Sequence, residues 1–300
     1  MSAPLFTIRI AMLNTDRPVP KVFEKRGSYG SIFYNPLKAA AAAEFGYLVE
    51  IDAQDFDVVN GDYPKAASDF NAIFVTGAAA ASYDDFDWIR NLADYILEVY
   101  ETYPQVKIFG SCFGHQIVCD SLLRKHDVHV EKDPNGWELG VREIELNREF
   151  CKAFEAAETI LDLSSSSSTS RLPTLNIASK PSAFVFASDL LRLQLLHSDH
   201  VKLQNPDCLP ESWVVIGRSK HCAVQGVYEP SRVLTFQGHF EYDRFIVSET
   251  VQVVGATWEP NFARIALNHI NKEDDADIAC RIVLKFLLQK YQVEEEPEYY

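Results

Sequence analysis

Val106-Lys107-Ile108-Phe109-Gly110-Ser111-Cys112-Phe113-Gly114-His115-Gln116-Ile117 is the stretch around which the chain is organised. A β-branched run meets a cysteine set between two glycines, and an apolar-periodic segment (Ile117, Val118, Leu122, Leu123) follows at once, a strand, sharp turn and helix in sequence. In such an elbow the backbone turns so tightly that neighbouring side chains would collide, which accounts for Gly110 and Gly114 at i−2 and i+2 of Cys112. The thiol is expected to stand exposed at the strand's end. The free N–H groups and positive dipole end of the following helix point at that sulfur and favour thiolate, and the N–H of Phe113 can donate to a developing oxyanion. By itself, Gly-x-Cys-x-Gly fits equally well a buried structural cysteine beside two incidental glycines.

The far end of the chain decides between these readings. Thiolate chemistry on an amide needs a base that doubles as leaving-group acid, and that base needs a third group to hold its tautomer. Val233-Leu234-Thr235-Phe236-Gln237-Gly238-His239-Phe240-Glu241 supplies both, because His239 and Glu241 stand two apart and share one side of an extended backbone. The expected trio is Cys112 as nucleophile, His239 as general acid and base, and Glu241 as orienting carboxylate.

The segments Gly110-Ser111-Cys112-Phe113-Gly114-His115-Gln116 and Gln237-Gly238-His239-Phe240-Glu241 resemble the class I (triad-type) glutamine amidotransferases. The nearer likeness is to stand-alone proteins related to the amidotransferase domain of GMP synthase, which include the plant γ-glutamyl peptidases. Val75-Thr76-Gly77 with Ser82-Tyr83-Asp84-Asp85, Gly136-Trp137-Glu138-Leu139-Gly140 and His197-Ser198-Asp199-His200-Val201 match as well, so the resemblance runs from about residue 8 to about 245. It implies a second oxyanion donor from the backbone of Gly77 or Ala78, and a loop at His197, Ser198 and Asp199 that holds the glutamyl α-amino and α-carboxylate groups. Gln116, in the first turn after the elbow, would reach the γ-carbonyl region. Two departures stand out. Phe240 occupies the place of a common proline between the triad His and Glu, and Ala78-Ala79-Ala80-Ala81 follows Gly77 where the family usually carries serine. Neither removes a triad side chain or a backbone N–H.

The resemblance and the strand–helix alternation together imply an α/β fold: a doubly wound, mostly parallel sheet with helices on both faces and an antiparallel edge extension. Trp137 to Leu146 alternates apolar positions and is expected on that edge. One domain is expected over residues 1–300, with a core at about 8–245, a helical part at 246–291, an acidic tail at 292–300 and a serine-rich flexible insertion at 164–170. Asn14 to Tyr34, rich in proline and glycine, reads as a long loop, and Asn35-Pro36 as the start of a helix ending at Gly46. Tyr47 to Ile51 reads as a strand, and Ser82 with Asp85 as a capping box for the helix carrying Trp88, Leu92, Tyr95, Ile96 and Val99.

Composition bounds the function. A net charge of −15 weighs against nucleic acid as partner, since phosphate binding depends on concentrated Lys and Arg. Six cysteines without paired spacing fit reduced thiols rather than a disulfide framework or a zinc site, and no metal is expected. No apolar run is long enough to span a bilayer and the start lacks a signal-peptide pattern, so a cytoplasmic location is expected. No Walker-type nucleotide loop is present and no cofactor is expected. The expected activity is cysteine-dependent hydrolysis of a small γ-glutamyl amide through a thioester. The alternatives are a glutaminase subunit that feeds ammonia to a separate synthetase, and a catalytically inactive binding module of the same fold.

Overall fold

The computed structural model describes residues 6–157, 159, 188–205, 207–256 and 258–290. In chain order these form β1 (Phe6–Asn14), α1 (Pro20–Arg26), α2 (Tyr29–Phe45), β2 (Val49–Asp57), β3 (Ala72–Val75), α3 (Asp87–Thr102), β4 (Lys107–Ser111), α4 (Phe113–Leu123), β5 (Val128–Lys132) and β6 (Glu138–Leu146). Then follow α5 (Arg148–Ala156), β7 (Leu190–His197), β8 (Asp199–Leu203), β9 (Val214–Val215), β10 (Gly217–Arg218), β11 (Val227–Glu229), β12 (Val233–Phe236), α6 (Arg244–Val254), α7 (Pro260–Ile270) and α8 (Ala276–Leu288).

The central sheet has seven strands in the order β2-β1-β3-β4-β12-β11-β9. All pairs from β2 to β12 are parallel, and β11 and β9 close one edge antiparallel. Strands β3, β4 and β12 are buried at every position, as a sheet covered on both faces requires. Alternate side chains feed two cores. Met12, Phe74, Phe109 and Leu234 meet α2 and α8 on one face, whereas Leu13, Val75, Ile108 and Val233 meet α3 and α4 on the other. Each fully buried side chain of this size contributes roughly 1.5–3 kcal/mol relative to exposure. Because parallel strands end together, the turns after β3, β4 and β12 lie side by side, and these carry Gly77, Cys112 and His239.

Several expectations are corrected. Residues 14–34 are not a long loop: α1 opens with Pro20 in its first turn, Gly27 breaks the chain at φ 82°, and Ser28 caps α2 by accepting from Ser31 N at 3.1 Å. Pro36 lies inside α2 rather than at its start. Ile32, Phe33 and Leu37 continue the buried stripe across it, and this burial outweighs the one hydrogen bond Pro36 cannot donate. Phe33 shows the packing, with its ring edge-on to Phe74, Phe109 and Phe240 at 6.0, 6.1 and 5.6 Å.

Strand β2 runs on to Asp57, because β1 offers a parallel partner along its whole length. The Ser82–Asp85 capping box does not form. Helix α3 starts at Asp87 without a side-chain cap, while Asp84 instead accepts from Ala81 N at 2.9 Å and shapes the preceding turn. Glu138–Leu146 does not lie on the edge of the main sheet. It pairs antiparallel with β7 and β10 in a separate three-stranded sheet, and β5 pairs with β8 in a further two-stranded one. The serine-rich segment 164–170 and the tail 292–300 lie outside the described residues. Among the described residues, no helix is long and apolar enough to cross a membrane.

The elbow glycines are held to their identity by space. A Cβ on Gly110 would lie 2.5 Å from Gly114 O, and one on Gly114 would lie 2.0 Å from Val75 O. Both obstacles are backbone and cannot rotate away. Gly114→Ala is therefore expected to destabilise the fold by about 3 kcal/mol, read as a lowered urea midpoint. A midpoint equal to that of the unaltered chain would contradict this account of the turn.

Candidate active site

Cys112 sits at φ 54°, ψ −109°, one of three described non-glycine residues with positive φ. Backbone in such a region costs on the order of 1–3 kcal/mol and persists only where the surroundings enforce it. Here the enforcement comes from β4 ending and α4 beginning with no residue between them except Cys112, which is the N-cap of α4. The thiol is less open than expected from the sequence. Cys112 is only 8% exposed, because the β7 backbone approaches it, with Leu196 O 3.8 Å from Sγ.

His239 arrives from the end of β12. Its N–H donates to Gln194 O at 2.9 Å, which ties the turn to β7. Its Nδ1 meets Glu241 Oε1 at 2.6 Å, and the two side chains are 2% and 1% exposed. The structure thus brings Cys112, His239 and Glu241 together. Burial alone would lower the affinity of His239 for a proton. The charge of Glu241, with hydrogen bonding to Cys112 and Glu241, outweighs this and pushes its pKa from the ordinary 6.5 up to about 10. The shift favours the charged form of the ring, which lies between Glu241 and the sulfur of Cys112.

Three residues around this group were not singled out from the sequence. Ser111, the residue before Cys112, places its Oγ 3.3 Å from Glu241 Oε1 and 3.4 Å from His239 Nδ1. Tyr242 stacks flat on the imidazole, with centroids 3.9 Å apart and planes 4° from parallel. Tyr29, in the first turn of α2, stacks on Tyr242 at 6.2 Å. Burial raises both phenols well above their ordinary range, so they remain protonated. The adjacency of Tyr242 to Glu241 was the available signal. Tyr29 carries no such signal, because the glycines and prolines around it mark loops as well as helix ends.

Gly77 faces this group. A Cβ placed on it would lie 3.5 Å from His239 Cε1, 3.7 Å from Cys112 Cβ and 3.8 Å from Tyr242 Oη. Among the described residues, the N–H groups of Gly77, Ala78 and Phe113 have no hydrogen-bond acceptor, whereas that of Ala79 donates to Asp16 Oδ2 at 3.0 Å.

The loop between β7 and β8 is gathered around Asp199. Gln116 Nε2 donates to Asp199 O at 2.9 Å and Gln237 Oε1 at 3.1 Å, so its amide is engaged within the chain. His197 is equally engaged, with Nδ1 2.9 Å from Asp199 O and Nε2 3.0 Å from Glu138 Oε2. Burial would raise the Glu138 carboxyl, but the bond and charge of His197 hold it below the usual range. Ser198 Oγ accepts from Lys132 Nζ at 3.1 Å. The Asp199 carboxylate is partly open to solvent, accepts from Tyr83 Oη at 2.5 Å, and has Lys132 Nζ at 3.8 Å. His115 stays inside the core, bonded to Thr235 Oγ1 at 2.8 Å. Burial pushes its pKa down to about 3.

A cavity of about 510 Å³ opens beside Glu241, lined among others by Arg26, Asn35, Asp243 and Arg244. Neither Cys112, His239 nor Gly77 lines it, so it is not where the thiol would meet a substrate. Among the described residues no group of three or more His, Cys, Asp or Glu side chains could hold a metal ion.

The site is thus a thiol at a strained elbow, coupled to a buried imidazole and carboxylate and facing free backbone N–H groups. Known proteins are similar to this chain in sequence and in fold. A glutamine amidotransferase-like protein of Schizosaccharomyces pombe is 26% identical over 93% of this chain and 98% of its own length. Gamma-glutamyl peptidase 2 of Arabidopsis thaliana is 25% identical over 66% of this chain and 65% of its own. Among solved structures, a glutamine amidotransferase of Thermotoga maritima superposes with a TM-score of 0.59 at 14% identity, covering 93% of this chain and 96% of that one. No protein-family model matches the chain. By sequence the chain is a homologue of proteins named for glutamine amidotransferase and γ-glutamyl peptidase activity, and its fold is that of the class I glutamine amidotransferases.

Proposed function

We propose that the chain is a cysteine-dependent hydrolase of γ-glutamyl amides. The observation that carries the reading is the meeting of His239 and Glu241 at 2.6 Å beside the sulfur of the Cys112 elbow. The Cys112 thiolate attacks the γ-carbonyl, and the N–H groups of Phe113 and of Gly77 or Ala78 donate to the developing oxyanion. The His239 imidazolium gives its proton to the departing amine. Now neutral, it takes a proton from water as that water cleaves the γ-glutamyl thioester, while Glu241 holds the ring through Nδ1. Asp199 and Lys132 present one negative and one positive group suited to the α-ammonium and α-carboxylate of a glutamyl head.

The departing amine divides two forms of this reading. The γ-glutamyl peptidase relatives favour a peptide substrate with a larger amine, and the amidotransferase-like relative favours glutamine, with ammonia passed to a separate synthetase. Incubation with glutamine and, separately, with glutathione, followed by assay of free glutamate, distinguishes them. Greater kcat/KM on glutathione is expected. Greater kcat/KM on glutamine would assign the glutaminase role, and no glutamate from either would leave the fold as a binding module and overturn the proposal.

A further inference from the structure

The four alanines at 78–81 offer no side-chain donor or acceptor; Asp84 accepts from Ala81 N at the far end of this loop, and the end facing Cys112 is held from outside it. The holding groups come from the turn after β1. Thr15 is 2% exposed, and its Oγ1 lies 2.9 Å from Gly77 O and 3.1 Å from Thr76 O. Thr76 Oγ1 accepts from Thr15 N at 3.0 Å and lies 3.0 Å from Thr15 Oγ1, which locks the hydroxyl in place. One residue on, Asp16 Oδ2 accepts from Ala79 N at 3.0 Å.

Peptide planarity turns these contacts into a statement about direction. In a trans peptide the C=O of one residue and the N–H of the next point opposite ways. With the carbonyls of Thr76 and Gly77 both drawn to one hydroxyl, the N–H groups of Gly77 and Ala78 are turned together to the side away from Thr15. Two successive N–H groups facing one way form an anion-binding concavity. Neither has an acceptor among the described residues, and Gly77 lies against Cys112 and His239.

Resting on the reading of these N–H groups as oxyanion donors, we propose that Thr15 and Asp16 are positioning residues that aim the Gly77–Ala79 backbone at the tetrahedral intermediate on Cys112. Thr15 does so through two carbonyls and Asp16 through the Ala79 N–H. Neither touches substrate. Their effect is confined to the step in which negative charge develops on the γ-carbonyl oxygen.

The test uses the full chain with Thr15→Val, Thr15→Ser and Asp16→Ala, measuring kcat and KM for γ-glutamyl hydrolysis and the inhibition constant of a γ-glutamyl aldehyde. The aldehyde adds to the thiol and places its own oxyanion in the same position. Thr15→Val is expected to lower kcat by about 100-fold with KM within about twofold, and to weaken the aldehyde by a similar factor. Thr15→Ser, which keeps the hydroxyl, should stay within about threefold of the unaltered chain, and Asp16→Ala should lose about tenfold in kcat. The partly exposed Asp16 gives a readout even where Thr15→Val fails to fold. Loss confined to KM, failure of Thr15→Ser to rescue, or kcat of Asp16→Ala equal to the unaltered value overturns the assignment. An unaltered chain that hydrolyses no γ-glutamyl compound overturns the reading of the site, and the assignment with it; an active one with indifferent variants overturns the assignment alone.

Discussion

Cys112→Ala is expected to lower kcat/KM for a γ-glutamyl amide by at least about 10⁴-fold, because under the proposed mechanism the remaining groups can polarise the carbonyl but cannot form the thioester. The fold is expected to survive. Cys and Ala share the Cβ that the strained backbone already accommodates, and besides its interaction with His239 the lost sulfur makes only a weak contact, with Leu196 O at 3.8 Å. A change in stability within about 1 kcal/mol is therefore expected, read from urea denaturation. Removing the sulfur also withdraws one of the influences that raise the His239 pKa. Retained hydrolysis, in a preparation free of unaltered protein, would contradict the assignment of Cys112 as nucleophile.

Glu241→Gln is expected to lower kcat by about 10³-fold or more, since an amide neither supplies charge nor enforces the tautomer in which Nδ1–H faces it. The sign of the accompanying pH effect follows from His239. Its pKa is raised in the folded chain to about 10 from an ordinary 6.5. The stabilisation that comes with that proton is thus fully present below about pH 6.5 and is lost as pH rises toward 10. The unaltered chain should lose thermal stability across that window. Glu241→Gln, whose imidazole no longer has a carboxylate partner, should lose less. The alkaline limb of the activity profile, where the imidazolium gives up its proton, should also move to lower pH in the variant. Identical pH dependence of Tm and of kcat/KM in the two proteins would contradict the proposed pairing.

What could be read in the sequence and what could not follow from the range of the interactions. The elbow is largely local: two glycines, a cysteine and the helix after them define its turn, and the clash of a Cβ on Gly110 with Gly114 O bears that reading out, whereas the clash at Gly114 is with Val75 O on the neighbouring strand. The parallel core was legible because buried strands such as Ile73–Val75 and Ile108–Phe109 are continuously apolar. Residues 14–34 are ambiguous in the sequence because Pro18, Pro20, Gly27 and Gly30 are signals of both loops and helix ends, and only the packing of Phe33 on Phe74 and Phe109 shows which applies. Alternation marks β6 as a strand but does not say which neighbour it pairs with, and it pairs with β7 rather than with the main sheet.

The site shows the same division. Cys112, His239 and Glu241 were legible from residue type and spacing. That the Gln116 amide and the His197 ring are engaged by Asp199, Gln237 and Glu138 was not, because those contacts join segments that are remote in sequence. Thr15 and Ser111 escaped notice for a related reason: a hydroxyl at a strand end looks the same whether it supports a reacting group or a surface turn.

The most direct measurement is mass spectrometry of the protein quenched in acid during turnover of a γ-glutamyl substrate, with peptides mapped across all six cysteines. A γ-glutamyl thioester on the peptide containing Cys112, absent from Cys112→Ala, is the predicted result. An adduct on any other cysteine, or glutamate released with no adduct formed on Cys112 even when hydrolysis of the thioester is slowed, would contradict the account.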